Sequence, residues 1–204
     1  TYTTKTKSGF NLFFGSAFSK VDNDYGNARI QGDFYEEDQQ ELHLKAKVKK
    51  SISSAYKINT GIETYLKQYG NRYTDTLSII RQNRNVNQNI YAAFLDNQIK
   101  LTRCLYANAA GRIEYSSYNK EFTFSPRVSL NYINGNFQLS GVFGKYYQTP
   151  EMQILAFNQN NLKQESASHY ILGSSYNFND RLLRLELYHK NYNNLSLIEN
   201  DIYT

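Results

Sequence analysis

Residues 141–194 read GVFGKYYQTPEMQILAFNQNNLKQESASHYILGSSYNFNDRLLRLELYHKNYNN, and two stretches of this run alternate with a period of two. Over 166–178, Tyr170, Leu172, Tyr176 and Phe178 share one parity. Ala167, His169, Gly173, Ser175 and Asn177 share the other, with Ile171 as the exception. Successive side chains of a strand point to opposite faces, so this pattern predicts a strand with one apolar face. Past Asn179-Asp180-Arg181, Leu183, Leu185 and Leu187 alternate with Arg184, Glu186, Tyr188 and Lys190. The two strands form a long hairpin, oily on one side and partly charged on the other.

The same alternation runs through most of the chain. Phe10, Leu12, Phe14 and Phe18 repeat before the polar cluster 22–27, which predicts a strand, a turn and a second strand over 28–35. Over 41–50, Leu42, Leu44, Ala46 and Val48 oppose His43, Lys45, Lys47 and Lys49. Strands follow over 55–69, 90–101, 105–118, 122–133 and 137–147, and about ten are expected in all. Residues 70–89, rich in Asn, Arg, Gln and Thr, predict a long solvent loop with one short strand at 76–80. Asn134-Gly135-Asn136 predicts a tight turn, and pairing Tyr132 with Phe137 aligns the apolar parities of the flanking strands. No helix is predicted.

At 204 residues, 40% apolar and 20% charged, with negative mean hydropathy, the chain has no run of the roughly 20 apolar residues that a spanning helix needs. A transmembrane barrel is compatible with this, because only every second residue faces lipid. The 19 Tyr and 12 Phe suit aromatic girdles at a membrane interface. Cys104 is the sole cysteine, which excludes an internal disulfide framework and a cysteine-rich zinc site. Lys and Arg are scattered despite the net charge of +5, so nucleic-acid binding is not expected. Connections near 102–104, 134–136 and 179–181 are short, whereas those near 70–89 and 148–165 are long and 119–121 is an exception. Short turns on one rim and long loops on the other describe an antiparallel up-and-down transmembrane β-barrel.

The wording YYQTPEMQILAFNQNNLKQESASHYILG, followed by a charged strand ending YHKNYNNL, resembles the late-barrel region of TonB-dependent outer-membrane receptors, especially those of Bacteroides-like bacteria. Asn161, Leu162, Lys163, Glu165, Ala167, His169, Tyr170, Leu172 and Gly173 match the family's pattern, and Gln164 stands where proline is usual. SPRVSLNY at 125–132 carries the likeness back to about Gln88. The resemblance implies that residues 1–204 are a single domain forming part of a barrel of about 22 strands. It also implies a plug domain outside this segment, a TonB-type protein as energy-transducing partner, outer-membrane lipid around the wall, and a small-molecule, glycan or peptide ligand. Two other readings stay open: a small complete passive outer-membrane barrel, and a soluble β-sandwich binding module.

Candidate sites follow from the polar faces and the long loops. In the loop 148–165, Gln148, Gln153, Phe157 and Asn158 are expected to contact ligand; packing of that loop against its neighbours is equally open. Arg112, Glu114, Arg127, Arg184 and Glu186 share the inward parity and are expected mainly to hold adjacent strands in register. Lys45, Lys47 and Lys49 are read as a hydrated face neutralised by neighbours such as Glu63. His169 and His189 fall on opposite faces, so no metal is expected, and no cofactor. Catalysis is not expected, since no nucleophile elbow, zinc-binding helix or phosphate-binding glycine loop occurs.

Overall fold

The computed structural model describes residues 1–26, 34–75, 80–157 and 162–196. Ten strands lie in one antiparallel sheet whose spatial order is the sequence order. They are β1 (Tyr2–Lys5), β2 (Phe10–Gly26), β3 (Phe34–Ser51), β4 (Tyr56–Asp75), β5 (Ile80–Lys100), β6 (Leu105–Ser116), β7 (Glu121–Asn134), β8 (Phe137–Gln148), β9 (Glu165–Phe178) and β10 (Arg181–Asn193). A six-residue helix, α1 (Met152–Phe157), interrupts the β8–β9 connection. β1 and β10 pair only with β2 and β9 among the described residues. The sheet is one curved wall rather than a sandwich or a closed ten-stranded barrel.

Register turns the alternation of single strands into two continuous faces. Ile62, Ala93, Ile113 and Phe124 lie side by side across β4 to β7, and one residue along each strand Glu63, Ala92, Glu114 and Thr123 do the same on the reverse side. The first face is bare: Ile62 is 62% exposed and Phe124 55%, and Leu172 and Leu187 continue it across β9 and β10. So large an apolar surface is stable only against another apolar phase, which for a barrel wall is lipid.

The upper limit of this lipid face is legible on β2 and β3. Phe18 pairs with Leu42, and two residues further along the same face Lys20 pairs with Gln40 and Asp22 with Asp38. Lys20 Nζ lies 2.8 Å from Asp22 Oδ2 and 3.8 Å from Asp38 Oδ2. The hydrogen bond from Lys20 holds the Asp22 carboxyl below its usual range and raises the lysine in turn. Charges grouped in this way belong above the hydrocarbon.

Two short turns show why the hairpins close where they do. Asn179 and Asp180 both have positive φ, 42° and 61°, as a type I′ turn requires. Gly135 has φ 55°, the first corner of a type II′ turn.

Several expectations need correction. Residues 70–75 and 80–89 are strand rather than loop, because β4 and β5 stay paired out to Asp75 and Ile80. Backbone pairing does not need alternating side chains, and above the membrane neither face has to be oily. β2 runs through the polar cluster to Gly26 for the same reason, and Phe34 and Tyr35 open β3 rather than ending a separate strand. Residues 28–33 of the strand expected at 28–35, and 76–79 of that expected at 76–80, lie outside the described residues. β1, not anticipated, restores the count to ten. Tyr132 pairs with Leu139, not Phe137, because the turn is two residues long and Asn134 pairs with Phe137; Leu139 and Phe137 share a parity, so the faces still match. The helix was not anticipated either.

Candidate functional site

The inner face carries its charges as a network. Glu63 of β4 is 6% exposed and is held by Lys45 of β3 and Arg112 of β6. Arg112 also donates through Nη2 and Nε to Glu114 Oε2, at 2.9 and 3.1 Å. Between β4 and β6 lies β5, which sets Phe94 in register with Arg112 and Ala92 in register with Glu63. The methyl group of Ala92 leaves room for the guanidinium to pass over. Two cations and two carboxylates thus balance where burial makes an unpaired charge expensive.

Above the network the β8–β9 connection folds inward. Met152, Leu155 and Ala156 of α1 are buried against Tyr69 of β4, with Val86 of β5 alongside. An isolated helix of one and a half turns does not persist in water, so these contacts hold it. Leu155 N donates to Glu151 O at 3.1 Å, and the Tyr118 hydroxyl donates to Leu155 O at 3.4 Å. Burial, reinforced by a 3.1 Å hydroxyl contact with Tyr35, raises the Tyr69 phenol far above its usual range, so it stays neutral beneath the helix. The connection therefore spans the concave side, from β8 to β4 and β5, four and three places away.

Between this bridge and the wall is a cleft of about 500 Å³. Tyr65, Lys67, Gln88, Arg112, Glu114 and Gln148, the last residue of β8, line it from the strands, and Gln153 from the bridge. Lys67 Nζ pairs with Glu41 Oε2 at 3.2 Å, and Gln88, 1% exposed, donates from Nε2 to Ser116 Oγ at 3.3 Å. Both signs of charge and several amides face one space, a lining suited to a polar solute rather than an apolar one.

The sequence candidates therefore divide. Gln148, Gln153, Arg112 and Glu114 come together at the cleft. Phe157 closes α1 but its side chain, like Asn158 as a whole, lies outside the described residues. Arg127 lies elsewhere on the inner face with its guanidinium 5.6 Å from the Tyr146 ring centroid. Arg184 and Glu186 pair with each other at 2.9 Å on β10, remote from the cleft. Among the described residues Arg112, Glu114, Arg184 and Glu186 form no adjacent-strand rung with one another: Arg112–Glu114 and Arg184–Glu186 run within a strand, at i and i+2, and Arg112–Glu63 skips one. Lys45 and Glu63, in contrast, pair in register across β3 and β4 as expected. Met152 and Leu155 are spent on packing. Tyr65, Lys67 and Gln88 were missed, and Gln88 was hidden in the stretch read as loop. His43 stacks on Tyr65 at 4.1 Å, and the register puts His169 and His189 on opposite faces.

Solved structures of like shape include receptors and a transporter. The ferric enterobactin receptor PfeA of Pseudomonas aeruginosa superposes with TM-score 0.70 at 14% identity, covering 90% of this chain and 32% of that one. The ferripyoverdine receptor of the same organism gives 0.67 at 9% identity, covering 90% and 30%. The copper transporter OprC gives 0.64 at 12% identity, covering 88% and 35%. This chain thus spans about a third of the length of the receptors it matches. No curated protein matches it. The model of the TonB-dependent receptor-like β-barrel matches residues 1–203. A wall with a lipid face, a charged inner face and one long inward-folded connection agrees with that match, so the chain belongs to the TonB-dependent receptor β-barrel family, a family of outer-membrane receptors and transporters.

Proposed function

We propose that this segment forms wall and part of the extracellular loops of a receptor that takes up a scarce polar solute in an energised step, drawing on a TonB-type protein through a plug domain outside the segment. The observation that carries the reading is the inward bridge over the polar cleft. A segment folded across the lumen and lined with amides narrows the path and sets hydrogen-bonding groups along it. A receptor gains a selective surface that solute must meet before passing. The plug, the partner and the solute enter through the family; the neighbours are named for ferric enterobactin, ferripyoverdine and copper, which supply the first solutes to try.

The test is transport by the intact protein in cells. Ferric siderophores and cupric ion, labelled, form the first panel, followed by oligosaccharides and peptides. Accumulation that stops when the proton gradient is collapsed, and that weakens when Gln148 and Gln153 are replaced by Ala, supports the reading. Flux that merely follows the concentration gradient overturns it.

A further inference from the structure

The seam between β7 and β8 is incomplete. The two strands pair from Asn134 with Phe137 as far as Arg127 with Gly144, and beyond that residues 121–126 and 145–148 part, although β7 stays paired with β6 and β8 with β9. Pro126 stands at the fork and has no backbone N–H to continue the ladder. A cavity of about 440 Å³ fills the gap, lined among others by Lys145, Lys163, Tyr147, Thr123 and Gln164. Gln164 is 2% exposed, and neither end of its amide has a partner among the described residues; Thr123 Oγ1 is buried and equally unpartnered. Buried polar groups are ordinarily satisfied, so the two mark hydrogen bonds kept for something else. Glu121 also lines the gap and accepts from Asn119 Nδ2 at 3.0 Å, so two lysines stand against one carboxylate, with Lys145 Nζ 5.0 Å from the Tyr147 ring centroid.

The fork lies mainly on the lipid side: Phe122, Phe124, Pro126, Lys145 and Tyr147 carry that parity, and Glu121 and Thr123 border the gap from the inner one. Lys145 shares its parity with Phe143 and Tyr147, and Phe122 and Phe124, 74% and 55% exposed, flank the gap. Directly below, on the same face, runs an apolar groove whose floor is Ala107, Ala109 and Gly141 and whose walls include Leu130, Phe143 and Tyr170. Gly141 lies four residues from Lys145 along β8, roughly 13 Å. A Cβ built on Gly141 meets nothing within 4 Å, so the groove is open there. Cations and unused amide groups at the top, with a narrow apolar track beneath, have the dimensions and polarity of one lipid lying lengthwise.

We infer that the outer face of the β7–β8 seam binds a phosphate-bearing anionic lipid of the surrounding leaflet, with its headgroup in the fork and an acyl chain in the groove. The two lysines take the phosphate charge. The Gln164 amide and the Thr123 hydroxyl bond to headgroup oxygens or hydroxyls. The aromatic pair covers the glycerol region.

The experiment is native mass spectrometry of the intact receptor in neutral detergent, with phosphatidylglycerol, phosphatidylcholine of the same chains and inorganic phosphate as probes, and heat-modifiable gel mobility confirming that each variant is folded. Phosphatidylglycerol is retained in preference to phosphatidylcholine. Lys145→Glu with Lys163→Glu lowers its retention on the order of tenfold, since each basic residue near a charged surface contributes appreciably to lipid attraction. Gly141→Leu, which fills the groove without touching the headgroup, lowers it as well. Equal retention of the two lipids, untouched by either change, would mean ordinary solvation by bilayer lipid and overturn the site. Capture of inorganic phosphate that needs the lysines while Gly141→Leu changes nothing would overturn the lipid as occupant.

Discussion

Arg112 of β6 pairs with Glu63 of β4 by passing over Ala92 of β5, an ion pair between strands that are not neighbours. Ala92→Leu places a branched side chain in that passage and separates the pair. Removing one partner of a buried pair costs about 3 kcal/mol, because the other charge stays behind. Ala92→Leu and Glu63→Ala are both expected to lower the urea midpoint of the intact barrel, and Glu63→Ala to add little on the Ala92→Leu background. Additive losses would mean that Arg112 does not depend on the gap.

Leu155 is 2% exposed beneath α1. Leu155→Ala forfeits about 3 kcal/mol of burial, more than a helix this short can replace. The bridge is expected to release while the strands hold. Limited proteolysis then cuts within 149–164, and the unfolding midpoint of the barrel stays where it was. Resistance to cleavage would show that the helix is held by something other than this contact.

Leu130 and Ser129 are consecutive residues of β7 on opposite faces. A lysine on the lipid side of a barrel strand costs about 2–4 kcal/mol near mid-membrane and little toward the lumen. Folding into lipid vesicles is expected to lose that much stability in Leu130→Lys and almost none in Ser129→Lys. The reverse order would invert the two faces.

Asp180 is a non-glycine residue at φ 61° in the β9–β10 turn. Asp180→Gly removes a left-handed strain of about 1 kcal/mol, whereas Gly135→Val introduces a comparable one at φ 55°. Thermal unfolding should rise slightly in the first variant and fall in the second.

Much of the wall was readable from residues alone because its cause is local. Alternation at 41–50, 122–133 and 166–190 follows from lipid on one side and water on the other, and it assigned the lipid and inner faces of those strands correctly. Asn134-Gly135-Asn136 and Asn179-Asp180 announced their turns through a tolerance of positive φ. Reading failed where that cause stops. Residues 70–75 and 80–89 have water above the membrane on both sides, so their sequence carries no period, yet β4 and β5 continue through them on backbone hydrogen bonds that any residue except proline supplies.

The candidate site was legible in part for a related reason. Arg112 and Glu114 were recognisable as inward charges by parity, and Gln148 and Gln153 as polar groups in a long connection. That these four share one cleft depends on α1 docking across the concave side onto Tyr69, a contact between residues more than eighty apart in the chain.

The sequence by itself determined the lipid and inner faces, the short turns and the family, since each is written in the period and wording of neighbouring residues. Tertiary structure alone decided the rest: that Arg112 crosses Ala92 to Glu63, that the β8–β9 connection folds inward over β4 and β5, and that β7 and β8 part above Pro126. These are distances between strands set by the curvature and register of the whole sheet, and no single strand carries them.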